Sequence, residues 1–137
     1  MSMIPAAQLK AREFMNAVKE LPLTYRIISG TRTYAEQNAL FAKKPKVTNA
    51  RGGQSNHNFG IAWDVGIFEN GKYYEGNTAK EDKAYVKLGE LIKQKVAGLE
   101  WGGDWTSFVD KPHYQLDTGK SVSQLRKLLE KGKSFFP

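Results

Sequence analysis

Apolar positions recur along this chain with a period that changes from segment to segment, and the changes divide it into elements. Between residues 5 and 20, Leu9, Phe14 (with Ala17) and Val18 roughly follow helical spacing and predict a first helix. Thr24–Ser29 (TYRIIS) reads as a strand that Gly30 ends. Thr33-Tyr-Ala-Glu36 has the form of a capping box, in which the Thr and Glu side chains satisfy free backbone donors at a helix start. A helix is expected from there to about Ala42. Residues 45–54 (PKVTNARGGQ) are polar and contain Gly52-Gly53, which predicts a mobile loop. Residues 61–68 (IAWDVGIF) are apolar enough for a buried strand. Asn70-Gly71 follows, a hairpin signal because type I′ turns need positive φ at both central positions. Thr78-Ala-Lys-Glu81 is a second capping box, opening a helix to about Val96 with Tyr85, Leu88, Leu91 and Ile92 as its apolar stripe. The stretch 99–108 is rich in Gly and Trp, and residues 112–116 (PHYQL) suit a short strand. Ser121-Val-Ser-Gln124 is a third capping box, with Leu125, Leu128 and Leu129 expected to pack the last helix. The order of helix, strand, helix, strand, hairpin, helix, strand, helix predicts a single α+β domain over residues 1–137, a small antiparallel sheet flanked by helices.

Composition narrows the classes. Apolar residues make up 40% and charged residues 26%, values of a globular chain rather than a disordered tail. A length of 137 residues suits one domain that folds without covalent staples. The absence of cysteine excludes a disulfide framework, a thiolate zinc site and a cysteine nucleophile, and leaves the compartment open. No apolar run approaches the roughly 20 residues that span a bilayer. The N-terminal MSMIPAAQLKAREF carries charges where a signal peptide keeps its apolar stretch, so no export signal is read there. The net charge of +7 favours a polyanionic neighbour: nucleic acid, anionic lipid or bacterial wall polymer. The basic residues are scattered, and neither a glycine-rich phosphate loop nor an aromatic-studded RNA-binding strand is present. A nucleic-acid partner is therefore not expected, and a solvated basic surface is the default.

The chemistry concentrates around two histidines. His57 lies seven residues before Asp64, and His113 three residues after Asp110. Two imidazoles and a carboxylate make a three-ligand zinc site that leaves a fourth position for water. Asp64 falls in the middle of an apolar strand, where an unpaired carboxylate costs several kcal/mol and so calls for a cation or hydrogen-bond donors. Strand alternation puts Ile61, Trp63, Val65 and Ile67 on one face and Ala62, Asp64 and Gly66 on the other. The second face is small around Asp64, with room for a metal and a substrate. From these residues alone, a structural reading stands beside the metal one: each histidine a satisfied core residue, and Asp64 an acceptor of backbone bonds.

The motifs carry the reading further. Ser55-x-His57-x-x-Gly60-x-Ala62-x-Asp64, then Trp101-Gly-Gly-Asp104-Trp105 and Asp110-x-Pro-His113-x-Gln115, resemble the zinc peptidases of the VanY / D-alanyl-D-alanine carboxypeptidase family. The similarity is greatest to the branch of L-alanyl-D-glutamate peptidases that includes phage endolysins. Ser29-Gly30-Thr31-Arg32-Thr33 and Glu36-Gln37 also match, so the resemblance covers residues 24 to 117. It implies a hedgehog/D-Ala-D-Ala peptidase-like fold, zinc (Zn2+) held by His57, Asp64 and His113, and Asp110 as the general base. It implies that Arg32 holds substrate and stabilises the developing oxyanion or a nearby carboxylate, that Gln37 and Ser55 shape the pocket or support the residues that do, and that Trp105 lines the cleft. A buried core role is the alternative for Trp105, as for Trp101. The implied substrate is the stem peptide of peptidoglycan, cut between L-Ala and D-Glu. The alternatives are removal of a terminal D-Ala, or a module that holds wall polymer without cutting it. The expected setting is a phage endolysin, a monomer made in the host cytoplasm and acting on the cell wall. Its positive charge would draw it to anionic wall or outer-membrane polymer.

Overall fold

The computed structural model describes residues 2–136. Four helices surround one small sheet: α1 (Pro5–Val18), α2 (Tyr34–Phe41), α3 (Ala79–Lys95) and α4 (Val122–Glu130). The strands are β1 (Thr24–Ser29), β2 (Ala62–Glu69), β3 (Lys72–Tyr73), β4 (Leu99–Trp101) and β5 (His113–Leu116). They lie in the order β1-β2-β5-β4, with β3 paired to the end of β2, and every pairing is antiparallel. The fold is the α+β arrangement expected from the element order.

The two faces of β2 have different work. Ile61, Trp63, Val65 and Ile67 are fully buried, and Tyr114 and Leu116 of β5 join them. These side chains pack against Phe14 and Val18 of α1 and against Tyr85, Leu88 and Ile92 of α3. Phe14 sets its ring edge-on to Tyr114 at 4.7 Å and to Trp63 at 6.2 Å, the geometry that aromatic quadrupoles favour. The Tyr85 hydroxyl accepts from the Ile67 amide (3.2 Å) and donates to the Tyr74 carbonyl (2.6 Å), whereas the Trp63 indole N–H and the Tyr114 hydroxyl of the same layer are buried without a hydrogen-bond partner. The other face of the sheet carries Asp64, His113 and Gln115.

Several local expectations need correction. Leu9 is 56% exposed; the buried stripe of α1 is Ala7, Ala11, Phe14 and Val18, whose spacing of four, three and four keeps one face inward. Small alanines on that face let the helix approach the sheet closely, which a search for large apolar residues overlooks. Leu129 is 38% exposed, and Val122, Leu125 and Leu128 make the inner face of α4 instead. The boxes at Thr33 and Ser121 close fully, but at Thr78 only half of the box forms. There Glu81 turns away from the cap and accepts from the Gly76 amide at 3.0 Å. The hairpin is as expected, with φ of 50° at Asn70 and 79° at Gly71. Strand β4 and the 3-10 turns Asn56–Phe59 and Gly102–Asp104 lie where the sequence predicts no element. All three are too short to show a period.

Helix α3 meets the sheet edge through a close contact. A Cβ on Gly89 would stand 2.2 Å from the indole of Trp101, which is buried and donates its ring N–H to the Lys111 carbonyl at 2.7 Å. Gly89→Ala is therefore expected to destabilise the fold by about 1–3 kcal/mol through overpacking, against the ~1 kcal/mol that alanine gains in an open helix. Urea unfolding of the variant checks this, and a more stable Gly89→Ala protein would contradict the packing described.

Candidate metal and peptidase site

Backbone pairing assembles the site. The register of β2 on β5 sets Asp64 directly opposite His113, and that of β1 on β2 sets Ser29 opposite Asp64 after a bulge beyond Ile27. Cross-strand neighbours on one face stand about 5 Å apart, so residues 49 positions apart in sequence become adjacent. His57 comes from the 3-10 turn, where Ser55 caps the His57 amide and Asn58 completes the box. The buried Asn58 side chain accepts from the amides of Gly53 and Ser55 and donates to the carbonyl of Arg32. The Arg32 amide in turn donates to the His57 carbonyl at 2.9 Å. Residues 30–33 and 53–58 are thus stitched into one rim beside β2.

The two imidazoles face the same carboxylate. His57 Nε2 lies 3.3 Å from Asp64 Oδ2, and His113 Nδ1 lies 3.2 Å from Asp64 Oδ1. Each ring is oriented by its other nitrogen. His57 Nδ1–H donates to the Gly30 carbonyl at 2.8 Å, which can only accept. His113 Nε2–H donates to Gln115 Oε1 at 2.7 Å, while the Gln115 amide donates to Glu100 Oε2 at 2.9 Å and so fixes its own orientation. In their neutral forms, both rings therefore turn bare nitrogens toward Asp64. The three donor atoms lie within 4.8 Å of one another. Three converging lone-pair groups repel unless a cation sits among them, and this set of borderline nitrogen and oxygen donors fits a divalent metal such as zinc.

Electrostatics follow the same geometry. Burial pushes the Asp64 carboxyl up, but where the facing nitrogens of His113 and His57 carry a proton in place of a metal, their hydrogen bonds more than reverse it and hold the group well below the usual carboxylate range. Burial lowers the His113 pKa, and its contacts with Asp64 and Gln115 outweigh that and raise it. Asp110 shifts in the opposite direction to Asp64: burial, then the nearby Asp64 charge, raises its pKa. Its Oδ2 lies 4.0 Å from His113 Nδ1, and about half of the side chain remains exposed. The Asp110 amide donates to the Gly102 carbonyl, and a Cβ on Gly102 would fall 2.2 Å from the Asp110 carbonyl oxygen. Only glycine allows that approach, which holds the start of the Asp110–His113 turn in place.

The remaining sequence candidates come together here as well. A cleft of about 760 Å³ has Arg32, Ser55, Trp105 and Asp110 on its walls beside the three converging groups. Arg32 reaches Asp64 Oδ2 at 3.6 Å, Ser29 Oγ at 3.0 Å and Gln37 Oε1 at 3.2 Å. Gln37, fully buried, stands behind Arg32 and donates to the Ala50 carbonyl, so it braces the arginine and the loop rather than the cleft surface. The Trp105 ring lies 5.1 Å from that of His113, and its indole N–H donates to Glu100. Trp101 takes the core role. Glu100 and Asn58 are supporting residues that sequence reasoning missed, and Gln115 stood in the quoted motif without an assigned role. Gln115 is legible in principle, two residues beyond His113 on the same strand face, whereas nothing local marks Glu100 or Asn58.

Comparison with known proteins agrees with the architecture. The D-alanyl-D-alanine carboxypeptidase family matches residues 48–116. The peptidoglycan L-alanyl-D-glutamate endopeptidase CwlK of Bacillus subtilis (strain 168) is 37% identical over 102 residues, 66% of this chain and 59% of that protein. The L-alanyl-D-glutamate peptidase of Listeria phage A118 is 34% identical over 80 residues, 55% of this chain and 27% of that protein. The chain thus spans well under two thirds of the length of either curated relative. Among solved structures, the Serratia marcescens L-Ala D-Glu endopeptidase ChiX superposes with a TM-score of 0.61 at 21% identity, over 86% of this chain and 83% of that one. The D,D-pentapeptidase VanY of a VanB-type resistance cassette, in complex with Zn(II), superposes with a TM-score of 0.60 at 17% identity, over 97% and 81%. These two likenesses establish the fold. The matched region takes in half of the chain and all three converging side chains, and the protein belongs to the D-alanyl-D-alanine carboxypeptidase family of M15 peptidases.

Proposed function

We propose that this chain is a zinc-dependent peptidoglycan hydrolase that cuts the L-Ala–D-Glu bond of the stem peptide, acting at the bacterial wall as a phage endolysin. The observation that carries the reading is the convergence of His57, Asp64 and His113, with both ring tautomers set by Gly30 and Gln115. The two curated relatives, both L-alanyl-D-glutamate peptidases, support the choice of bond, and the phage source of one supports the setting. The +7 charge suits approach to anionic wall polymer, a salt-sensitive attraction. No helix among the described residues is long and apolar enough to cross a membrane.

His57, Asp64 and His113 would hold the metal. When bound, zinc supplies Lewis-acid chemistry, polarising the scissile carbonyl and lowering the pKa of water toward neutrality. With both histidines engaged, proton transfer falls to Asp110. Its half-exposed carboxylate takes a proton from the attacking water and delivers it to the leaving amine. Its place, with Oδ2 4.0 Å from His113 Nδ1 and half of the side chain open to the cleft, suits both halves of that task. Arg32, braced by Gln37 and Ser29, brings positive charge to the place where negative charge develops. Ser55 fixes the turn that presents His57, and Trp105 walls the cleft beside His113.

Three outcomes are expected. Mass spectrometry of digested peptidoglycan should show chelator-sensitive release of peptides that begin at D-Glu. Release of free D-Ala alone would move the protein to the carboxypeptidases, and zinc binding without cleavage would favour a wall-binding module. Asp110→Asn should keep one zinc by elemental analysis while turnover falls about 10²–10⁴-fold; near wild-type turnover would remove Asp110 from the mechanism. Gln115→Leu frees the His113 ring, so zinc affinity measured by competition with a chromophoric chelator should drop about 10–100-fold.

A further inference from the structure

The cleft holds a second guanidinium that the reading so far leaves unused. Arg126, on α4, lines the same cleft as His57, Asp64 and Asp110. Its position is fixed from below. A terminal nitrogen donates to the Gly53 carbonyl at 3.3 Å, and its Cδ would stand 3.1 Å from a Cβ at residue 53. Gly53 has φ of 83° and no side chain, so the aliphatic stem of the arginine lies directly over the loop backbone. That loop is the one Asn58 ties to the His57 turn, so Arg126 is registered to the reacting centre.

The two arginines of the cleft differ in their commitments. Arg32 is engaged by Asp64, Ser29 and Gln37. Arg126 has one neutral carbonyl, and among the described residues no carboxylate pairs with it. Glu130, one turn further along α4, reaches the Tyr34 hydroxyl instead, at 3.5 Å. A guanidinium carries five donors in a planar fork that matches a carboxylate, and an arginine with most of them free at the wall of a binding cleft is matched to an anionic ligand. The carboxylates of the cleft are already engaged, Asp64 by the two histidines and Asp110 by proton transfer. A metal ion among the three converging groups would add further positive charge.

We propose that Arg126 is a specificity-determining residue that binds a free carboxylate of the stem peptide; this rests on the peptidase reading above. The chemistry of the bond suggests which one. D-Glu is a dicarboxylic amino acid, so a peptide that continues through one of its carboxyls leaves the other free, next to the scissile amide. A C-terminal carboxylate of the stem is the other source of the same chemistry.

The test uses the zinc-loaded protein and three synthetic stem peptides: one with both carboxylates free, one amidated at the D-Glu carboxyl, and one amidated at the C-terminus. Wild type should lose about 10–100-fold in kcat/KM, chiefly through KM, on the peptide whose recognised carboxylate is amidated. Arg126→Gln should bring the free-acid peptide down to that same value and abolish the preference, with zinc content unchanged. Arg126→Lys should restore part of it. Whichever amidated peptide shows the loss identifies the carboxylate. The proposal is overturned if wild type shows no preference, if Arg126→Gln keeps it, or if Arg126→Gln slows all three peptides by one factor, which marks a loop anchor. Failure of wild type to cut any of the three overturns the peptidase reading itself, and the role of Arg126 with it.

Discussion

The structure depends on a carboxylate placed in the central strand of its sheet. Asp64 sits in β2 among residues that are fully buried, and its charge is compensated by what His57 and His113 bring to it from two sides, a proton on each facing nitrogen or a cation held between them. Removing either partner would leave a partly buried anion short of compensation, which is far more costly than losing an exposed ion pair. The sheet is arranged around this requirement. The antiparallel register of β5 brings His113 opposite Asp64, the bulge at the end of β1 brings Ser29 alongside, and the chain then runs through Gly30 and Arg32 into contact with the His57 turn. A one-residue slip of β5 would turn His113 into the aromatic core and Tyr114 toward the cleft.

Around that centre, positioning passes outward through groups that never meet a substrate. Gln115 and Glu100 hold the His113 ring, and Glu100 also accepts from Trp105, so one carboxylate on the edge strand β4 steadies both a ring of the site and a wall of the cleft. On the opposite side, Asn58 and Gln37 act in the same way for His57 and Arg32. Both side chains are buried and fully engaged, so they add rigidity without leaving unpaired polar atoms. The packing layer on the inner face of the sheet is the foundation for this. Phe14, Trp63 and Tyr114 lock β2 to β5, and with them the pair Asp64 and His113.

The sequence by itself determined much of this protein. The strand alternation around Asp64, the Asn-Gly hairpin and two of the three capping boxes are local facts, set by side-chain period and backbone preference, and they appear as expected. The three converging groups His57, Asp64 and His113 were legible as candidates too, because metal-binding chemistry allows few residue types and the chain contains only two histidines. The tertiary structure decided what depends on partners distant in sequence. It chose alanines over Leu9 for the inner face of α1, and formed β4 because β5 offered an edge to pair with. It also set the tautomers of both imidazoles, split the two aspartates in opposite directions, and left Arg126 over Gly53 with no carboxylate partner among the described residues. Each of these is a contact between segments whose distance is fixed only when the sheet closes, and no local pattern of residues encodes such a distance.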